Sequence, residues 1–373
     1  MDNNSIQAFV TIPAIPAFDT VMAEAARRQQ DRLTKPTGSL GRLEALSIQL
    51  AGIAGSVSPV LDPVLIAVFA ADHGVAAKGV SAYPSEVTTQ MVLNYASGGA
   101  VINAIARSVG AELVVVDTGV AGDLPADLPI VHRKVRRGTR DWSEEPAMTD
   151  REARQAMAIG ADVIRHHPSI RLFAVGEMGI GNTATAAALA AALTAGAPDA
   201  LVGRGTGLDD AGLANKRQVV AAGLARVKAG STPYELLVEL GGYEIAAMCG
   251  AILAAATRRI PVIIDGFIST CAAVAAVALA PGAREYLIAG HRSQELGHRV
   301  LLEYLGLSPL LDLDLRLGEA SGAALAIPLV RAARDVLRDV ATFDQAGVSD
   351  RDTEEKRNSS KPDDDSAGKA LDF

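Results

Sequence analysis

The stretch Gly176-Glu177-Met178-Gly179-Ile180-Gly181-Asn182-Thr183 follows an apolar run, Leu172-Phe173-Ala174-Val175, and precedes the alanine-rich residues 184–195. That order predicts a strand, a glycine loop and a helix. Glycine lets the backbone turn tightly and come close to a ligand. The helix that follows begins with unpaired N–H donors and the positive end of its dipole, which suits a phosphate. Glu177 adds a carboxylate at the same turn. Gly179-x-Gly181-x-x-Ala184 also fits a loose dinucleotide-binding fingerprint, with Asp199 near the place of a ribose-binding acid. A plain tight turn is a third reading, and only the rest of the chain separates the three.

Working outward, similar apolar runs recur at residues 64–69, 113–116, 261–264 and 286–288. Runs without polar alternation fit strands of a parallel sheet covered on both faces. Each ends in a polar residue beside glycine: Asp72-His73-Gly74, Asp117-Thr118-Gly119, Asp265-Gly266 and Gly290-His291. Helical stretches lie between them, and Thr149-x-x-Glu152 matches a capping box. The fold expected is α/β, a parallel Rossmann-like sheet flanked by helices, whose strand ends share one ligand-binding edge. Two helices precede the first strand, the second capped by Ser39, and a long one follows the last. They suggest a small helical domain, residues 1–60 with 305–343, beside a large catalytic domain, residues 61–304. Residues 344–373 hold nine acids against five bases, half of the net charge of −8. They read as a disordered tail.

Composition excludes several classes. Hydrophobic residues make up 49% of the 373, enough for a large core, while aromatics at 4% leave packing to small aliphatic side chains. The mildly acidic body has no polybasic patch, which argues against nucleic acid as a partner. The two cysteines, Cys249 and Cys271, sit in apolar surroundings and read as buried thiols of a reducing compartment. Met1-Asp2-Asn3-Asn4 lacks the basic region of a signal peptide, and the apolar residues 260–280 are interrupted by Asp265-Gly266. A cytoplasmic protein with no membrane span is expected.

Gly203-Arg204-Gly205-Thr206-Gly207, followed by Lys216, is a second glycine cluster with a point charge for phosphate. Leu311-Asp312-Leu313-Asp314-Leu315-Arg316-Leu317 alternates strictly and predicts a half-exposed strand running into Glu319 at a helix start. An acid in a helix's first turn is a routine pairing and the plainer reading; alternatively, a carboxylate at such an apolar edge would be desolvated and become a usable base. The histidines show no metal-ligand spacing, and neither a nucleophile-elbow nor a Walker A loop occurs. Ser81 to Gln90 supply hydroxyls and an amide beyond the first strand.

These pieces together resemble a known family. Leu33-Thr34-Lys35-Pro36-Thr37-Gly38-Ser39-Leu40-Gly41, Ala71-Asp72-His73-Gly74-Val75, the glycine loop from Glu177 to Thr183, Gly203 to Gly207, Asp265-Gly266-Phe267, Gly290-His291-Arg292-Ser293 and Arg316-Leu317-Gly318-Glu319 stand in its order. The chain resembles the nicotinate-nucleotide–dimethylbenzimidazole phosphoribosyltransferases of cobalamin biosynthesis. The resemblance implies transfer of ribosyl phosphate from nicotinate mononucleotide to dimethylbenzimidazole by a homodimer without cofactor or metal. It implies Glu319 as general base and Glu177 near the ribose. Gly179, Gly181, Asn182, Thr183, Gly205, Lys216 and Ser293 would hold the ribosyl phosphate, and Ser81, Gln90, Met178 and Leu317 would line the slot for the base. Two departures stand out: Ala184 where the family often has Thr, and Ala320-Ser321 where it has Gly-Thr. The alternatives are a dinucleotide-dependent oxidoreductase and a non-catalytic nucleotide-binding protein.

Overall fold

The computed structural model describes residues 12 and 14–349. Residues 350–373, most of the expected charged tail, lie outside the described residues; its beginning includes a one-turn helix, Phe343–Ala346, capped by Thr342.

The apolar runs are strands β1 (Val64–Ala71), β2 (Glu112–Gly119), β4 (Leu172–Met178), β5 (Val262–Ile264) and β6 (Leu287–Ala289), joined by a two-residue strand β3 (Val131–His132) that is too short for any sequence pattern. All pair in parallel, in the order β3-β2-β1-β4-β5-β6. Strand order reverses between β1 and β4, which opens a crevice at their carboxyl ends.

β1 is buried over its whole length because the sheet is covered twice. Leu65, Ala67 and Phe69 join Phe173 and Val175 under the helices Asp150–His166, Asn182–Thr194, Tyr243–Thr257 and Phe267–Leu279. Their neighbours Val64, Ile66 and Val68 join Leu172 and Ala174 on the opposite face, under Arg42–Ala54, Val101–Val109 and Ser321–Asp339. The period of two thus feeds one strand into two cores. Removing the fully buried Phe69 side chain to Ala would cost about 3–5 kcal/mol.

Helices Thr20–Arg32 and Arg42–Ala54 pack with Ser321–Asp339, burying Ala26, Ala51 and Leu337 together, and a bridge joins Leu33 to Thr342. Arg42–Ala54 also lays Leu46 and Leu50 on the sheet. The capping box at Thr149 and Glu152 is present. Ser39 is not a cap: the helix starts after Gly41 with no side-chain cap.

Residues 311–317 are not a strand. They form an irregular segment tied to residues 290–294, with Arg292 N donating to Leu311 O at 2.8 Å and Gln294 N to Leu315 O at 2.9 Å. Asp314 in the left-handed region, φ 56°, interrupts the extended run, so polar alternation here marks exposure on both sides of a loop. Among the described residues no helix is long and apolar enough to cross a membrane, and both cysteines are buried free thiols.

Candidate active site

A cleft opens where β4, β5 and β6 end. It holds about 620 Å³ of empty space, counting the solvent at its mouth. Glu177 and Met178, expected in the loop, are the last residues of β4, which runs on through Gly176. The helix Asn182–Thr194 starts after Gly181, whose φ of 97° brings the chain around. Thr88 Oγ1 accepts a hydrogen bond from Ile180 N at 3.1 Å, pinning the loop to the helix Glu86–Ala96. Asn182 Nδ2 donates to Glu177 Oε2 and orients that carboxylate. Burial, with Asp265 and Glu244 nearby, pushes the Glu177 carboxyl up to about 8 against that hydrogen bond.

Behind the loop, Lys216 is fully buried and donates to Thr183 Oγ1 at 2.8 Å and to Gly203 O at 3.1 Å. Desolvation pulls its ammonium down to about 8, partly offset by Glu295. An anion entering here would favour the charged lysine.

The second carboxylate arrives on a different kind of backbone. Gly318, Glu319 and Ala320 are all left-handed, with φ of 87°, 63° and 64°. For two consecutive non-glycine residues that conformation is strained and persists only where the surroundings over-determine it. Ser321 Oγ donates to Gly318 O at 2.7 Å within the turn. Two close approaches shape it from outside. A Cβ on Gly176 would run into the Ala320 backbone nitrogen, and one on Gly318 would lie 2.6 Å from Glu177 Oε1. Position 176 therefore requires glycine for space and position 318 for its backbone, and the Glu177 carboxylate lies against the turn that carries Glu319. Glu319 is 6% exposed, and its Oε2 has no hydrogen-bond partner. Burial raises its pKa, while the adjacent Tyr95 hydroxyl works the other way.

The cleft gathers Glu177, Met178, Gly179, Asn182, Thr183, Gly205, Ser293, Leu317 and Glu319 from the residues singled out in the sequence. Gly181 stands at the start of the helix beside them and Lys216 behind Thr183. Ser81 reaches the rim, its Oγ 3.3 Å from Oγ1 of the cleft residue Thr206. Gln90 is exposed on the helix Glu86–Ala96, outside the lining. Ile180, Phe267, Ile268, Glu295 and Arg316 also line the cleft. Arg316 and Phe267 lay inside quoted motifs without a role, whereas Tyr95 carried no signal beyond a helix facing the core. Ser293 is set by His298: Ser293 N donates to Nδ1 at 2.9 Å, and Nε2 lies 3.0 Å from Thr270 Oγ1. Burial holds His298 down to about 3, so it is neutral, with Nδ1 as acceptor and its proton on Nε2. Asp199, by contrast, is paired with Arg217 at 3.5 Å and its side chain is 85% exposed, far from the setting of a ribose-binding acid.

A family model described as phosphoribosyltransferase matches residues 15–348. A nicotinate-nucleotide–dimethylbenzimidazole phosphoribosyltransferase of Chloroflexus aurantiacus is 52% identical over 344 residues, covering 91% of this chain and 98% of its own. The enzyme of that name from Xanthomonas axonopodis pv. citri is 54% identical over 340 residues, covering 90% and 97%. The chain belongs to the nicotinate-nucleotide–dimethylbenzimidazole phosphoribosyltransferase family. Among solved structures of this family, CobT from Thermus thermophilus superposes with a TM-score of 0.86 at 50% identity, over 88% of this chain and 99% of that one. The fold is that of a solved structure of this family, and the chain is an enzyme.

Proposed function

We propose that the cleft transfers the ribosyl phosphate of nicotinate mononucleotide to dimethylbenzimidazole, giving α-ribazole phosphate and nicotinate for the lower ligand of cobalamin. The observation that carries this reading is Glu319: a buried carboxylate with a free oxygen, held beside Glu177 in a cleft that also receives a helix N-terminus. One benzimidazole nitrogen attacks the anomeric carbon as the bond to the pyridinium nitrogen breaks, and its electron pair neutralises the departing ring. Positive charge then builds on the benzimidazole, and Glu319 takes the proton from its other nitrogen. The leaving group departs neutral at nitrogen, so no acid is required on that side.

Glu177 faces the ribose and stabilises an oxocarbenium-like transition state. Its raised pKa leaves it protonated in the empty cleft at neutral pH, and a cationic nucleotide favours its ionised form. Gly179, Gly181, Asn182, Thr183, Gly205, Lys216 and Ser293 hold the ribosyl phosphate. Met178 and Leu317 offer apolar walls to the flat base, with Ser81 at the rim and Gln90 further out. We assign the active species as a cytoplasmic homodimer and group residues 1–60 with 305–343 as a helical unit beside the catalytic one.

The test is nicotinate release from nicotinate mononucleotide with dimethylbenzimidazole, wild type against Glu319→Gln. Turnover by the wild type and a loss of about a hundredfold or more in the variant are expected. Equal rates would move the base role to another carboxylate, and no release by the wild type would remove the transferase reading.

A further inference from the structure

The turn that carries Glu319 lacks an anchor of its own. Ala320 stands at the N-cap of the helix Ser321–Asp339 and offers no side-chain hydrogen bond. The bond from Ser321 Oγ to Gly318 O closes the turn on itself but ties it to nothing else. The tie comes from the end of β5. Asp265 is 1% exposed, and its Oδ1 accepts from Ala323 N, in the helix's first turn, at 2.9 Å. The N–H groups of Gly322 and Gly266 also point at this carboxylate. His291, from the end of β6, backs the arrangement: its Nε2 lies 3.5 Å from Asp265 Oδ1, and its ring occupies the place where a side chain on Gly322 would stand.

We propose that Asp265 is the positioning residue for the general base: it caps the helix Ser321–Asp339 from the sheet and so holds the left-handed Gly318-Glu319-Ala320 turn in register with Glu177. A carboxylate supplied from a distant strand performs the work that an N-cap side chain does locally, satisfying orphan donors at a helix start. It also fixes the strained turn, because Glu319 can sit at positive φ only while the residues after it are held. Asp265 has a second effect through its charge. The groups facing Glu319 are the Tyr95 hydroxyl and the carboxylates of Asp265 and Glu177; those facing Asp265 are His291, Glu177 and Glu319. The Asp265 carboxylate disfavours ionisation of Glu319, and its removal lowers the pKa of the base.

This inference rests on Glu319 acting as the base, and two variants test it. In Asp265→Asn the amide oxygen still accepts from the Ala323 N–H, whereas Asp265→Ala leaves that donor without a partner. Asp265→Ala is expected to lower kcat by about a hundredfold, the scale of a lost general base, with KM for nicotinate mononucleotide within about threefold. Asp265→Asn is expected to recover kcat to within about tenfold of wild type and to move the acid limb of the kcat/KM profile to lower pH. An Asp265→Ala enzyme with wild-type kcat, or an Asp265→Asn enzyme with an unmoved acid limb, overturns the proposal. Should Asp265→Ala fail to fold, Asp265→Ser takes its place in both the kinetic and the exchange measurements. Amide hydrogen exchange at residues 321–324 of the unliganded protein gives a reading independent of turnover. Faster exchange in Asp265→Ala, or in Asp265→Ser if the alanine variant is unfolded, supports the cap; unchanged exchange overturns it. A wild type that releases no nicotinate removes the transferase reading while the exchange result still judges the cap.

Discussion

Two carboxylates reach one cleft by opposite routes. Glu177 rides on the end of a strand, and its neighbour Asn182 starts the next helix, so the hydrogen bond that orients its carboxylate comes from within six residues of chain. Glu319 sits in an irregular turn held by Asp265 from the end of β5, by the absence of a side chain at Gly176 in β4, and by Tyr95 from the helix Glu86–Ala96 in the same layer. The first is a local arrangement and the second a long-range one. The difference teaches where each is fragile: damage to Glu177 stays local, whereas the Glu319 turn fails when any of several distant elements shifts.

The sharpest break of that comparison is Gly176→Val. The added side chain would collide with the Ala320 backbone, and since β4 cannot move, the turn must. Activity should fall by about a thousandfold or more, with a stability loss of about 1–3 kcal/mol from overpacking, read by nicotinate release and denaturant unfolding. Near-normal activity would show that the turn adapts and that its strain is incidental.

Next comes the contrast between the two acids. Glu177→Gln should lower kcat by about tenfold, less than Glu319→Gln, because it weakens charge stabilisation without removing the proton acceptor. The opposite ranking would exchange their roles.

A smaller effect separates the two sites by pH. Burial raises Glu177 from 4.5 to about 8. Between those values the folded protein keeps a proton that the unfolded chain has released, so this group's contribution to stability falls as pH rises through that window. Glu177→Gln should therefore melt at the same temperature as wild type near pH 4.5 and a few degrees higher at pH 8.5, at about 2 °C per kcal/mol. A scanning-calorimetry difference that does not grow with pH would contradict the buried, protonated carboxyl.

The smallest expected change is at Gln90. Its exposure on the helix Glu86–Ala96 predicts that Gln90→Ala alters KM for dimethylbenzimidazole by less than about threefold, a surface-level effect. A larger change would mean that the helix moves toward the cleft when the base binds.

Much of the site was legible beforehand. The glycine loop, its strand and its helix follow from local chemistry, and the apolar runs announced a sheet covered on both faces. What the local pattern misread was residues 311–317, where polar alternation suggested a strand. Alternation reports only which side chains face water, and a loop exposed on both sides produces it as readily as a half-buried strand. Lys216 illustrates the middle ground: its type and its place after a glycine cluster suggested phosphate, but its complete burial against Thr183 and Gly203 depends on how two distant segments meet.

The sequence by itself determined the α/β architecture and the family, because periodicity and short motifs act over a few residues. Only the tertiary structure decided that Glu319 stands left-handed beside Glu177, that Tyr95 faces it, and that Asp265 holds its turn. Those relations join segments tens to hundreds of residues apart, and no local preference encodes the distance between them. They exist because the parallel sheet brings the ends of β4, β5 and β6 to one edge, where burial turns ordinary carboxylates into groups with shifted pKa values and free oxygens.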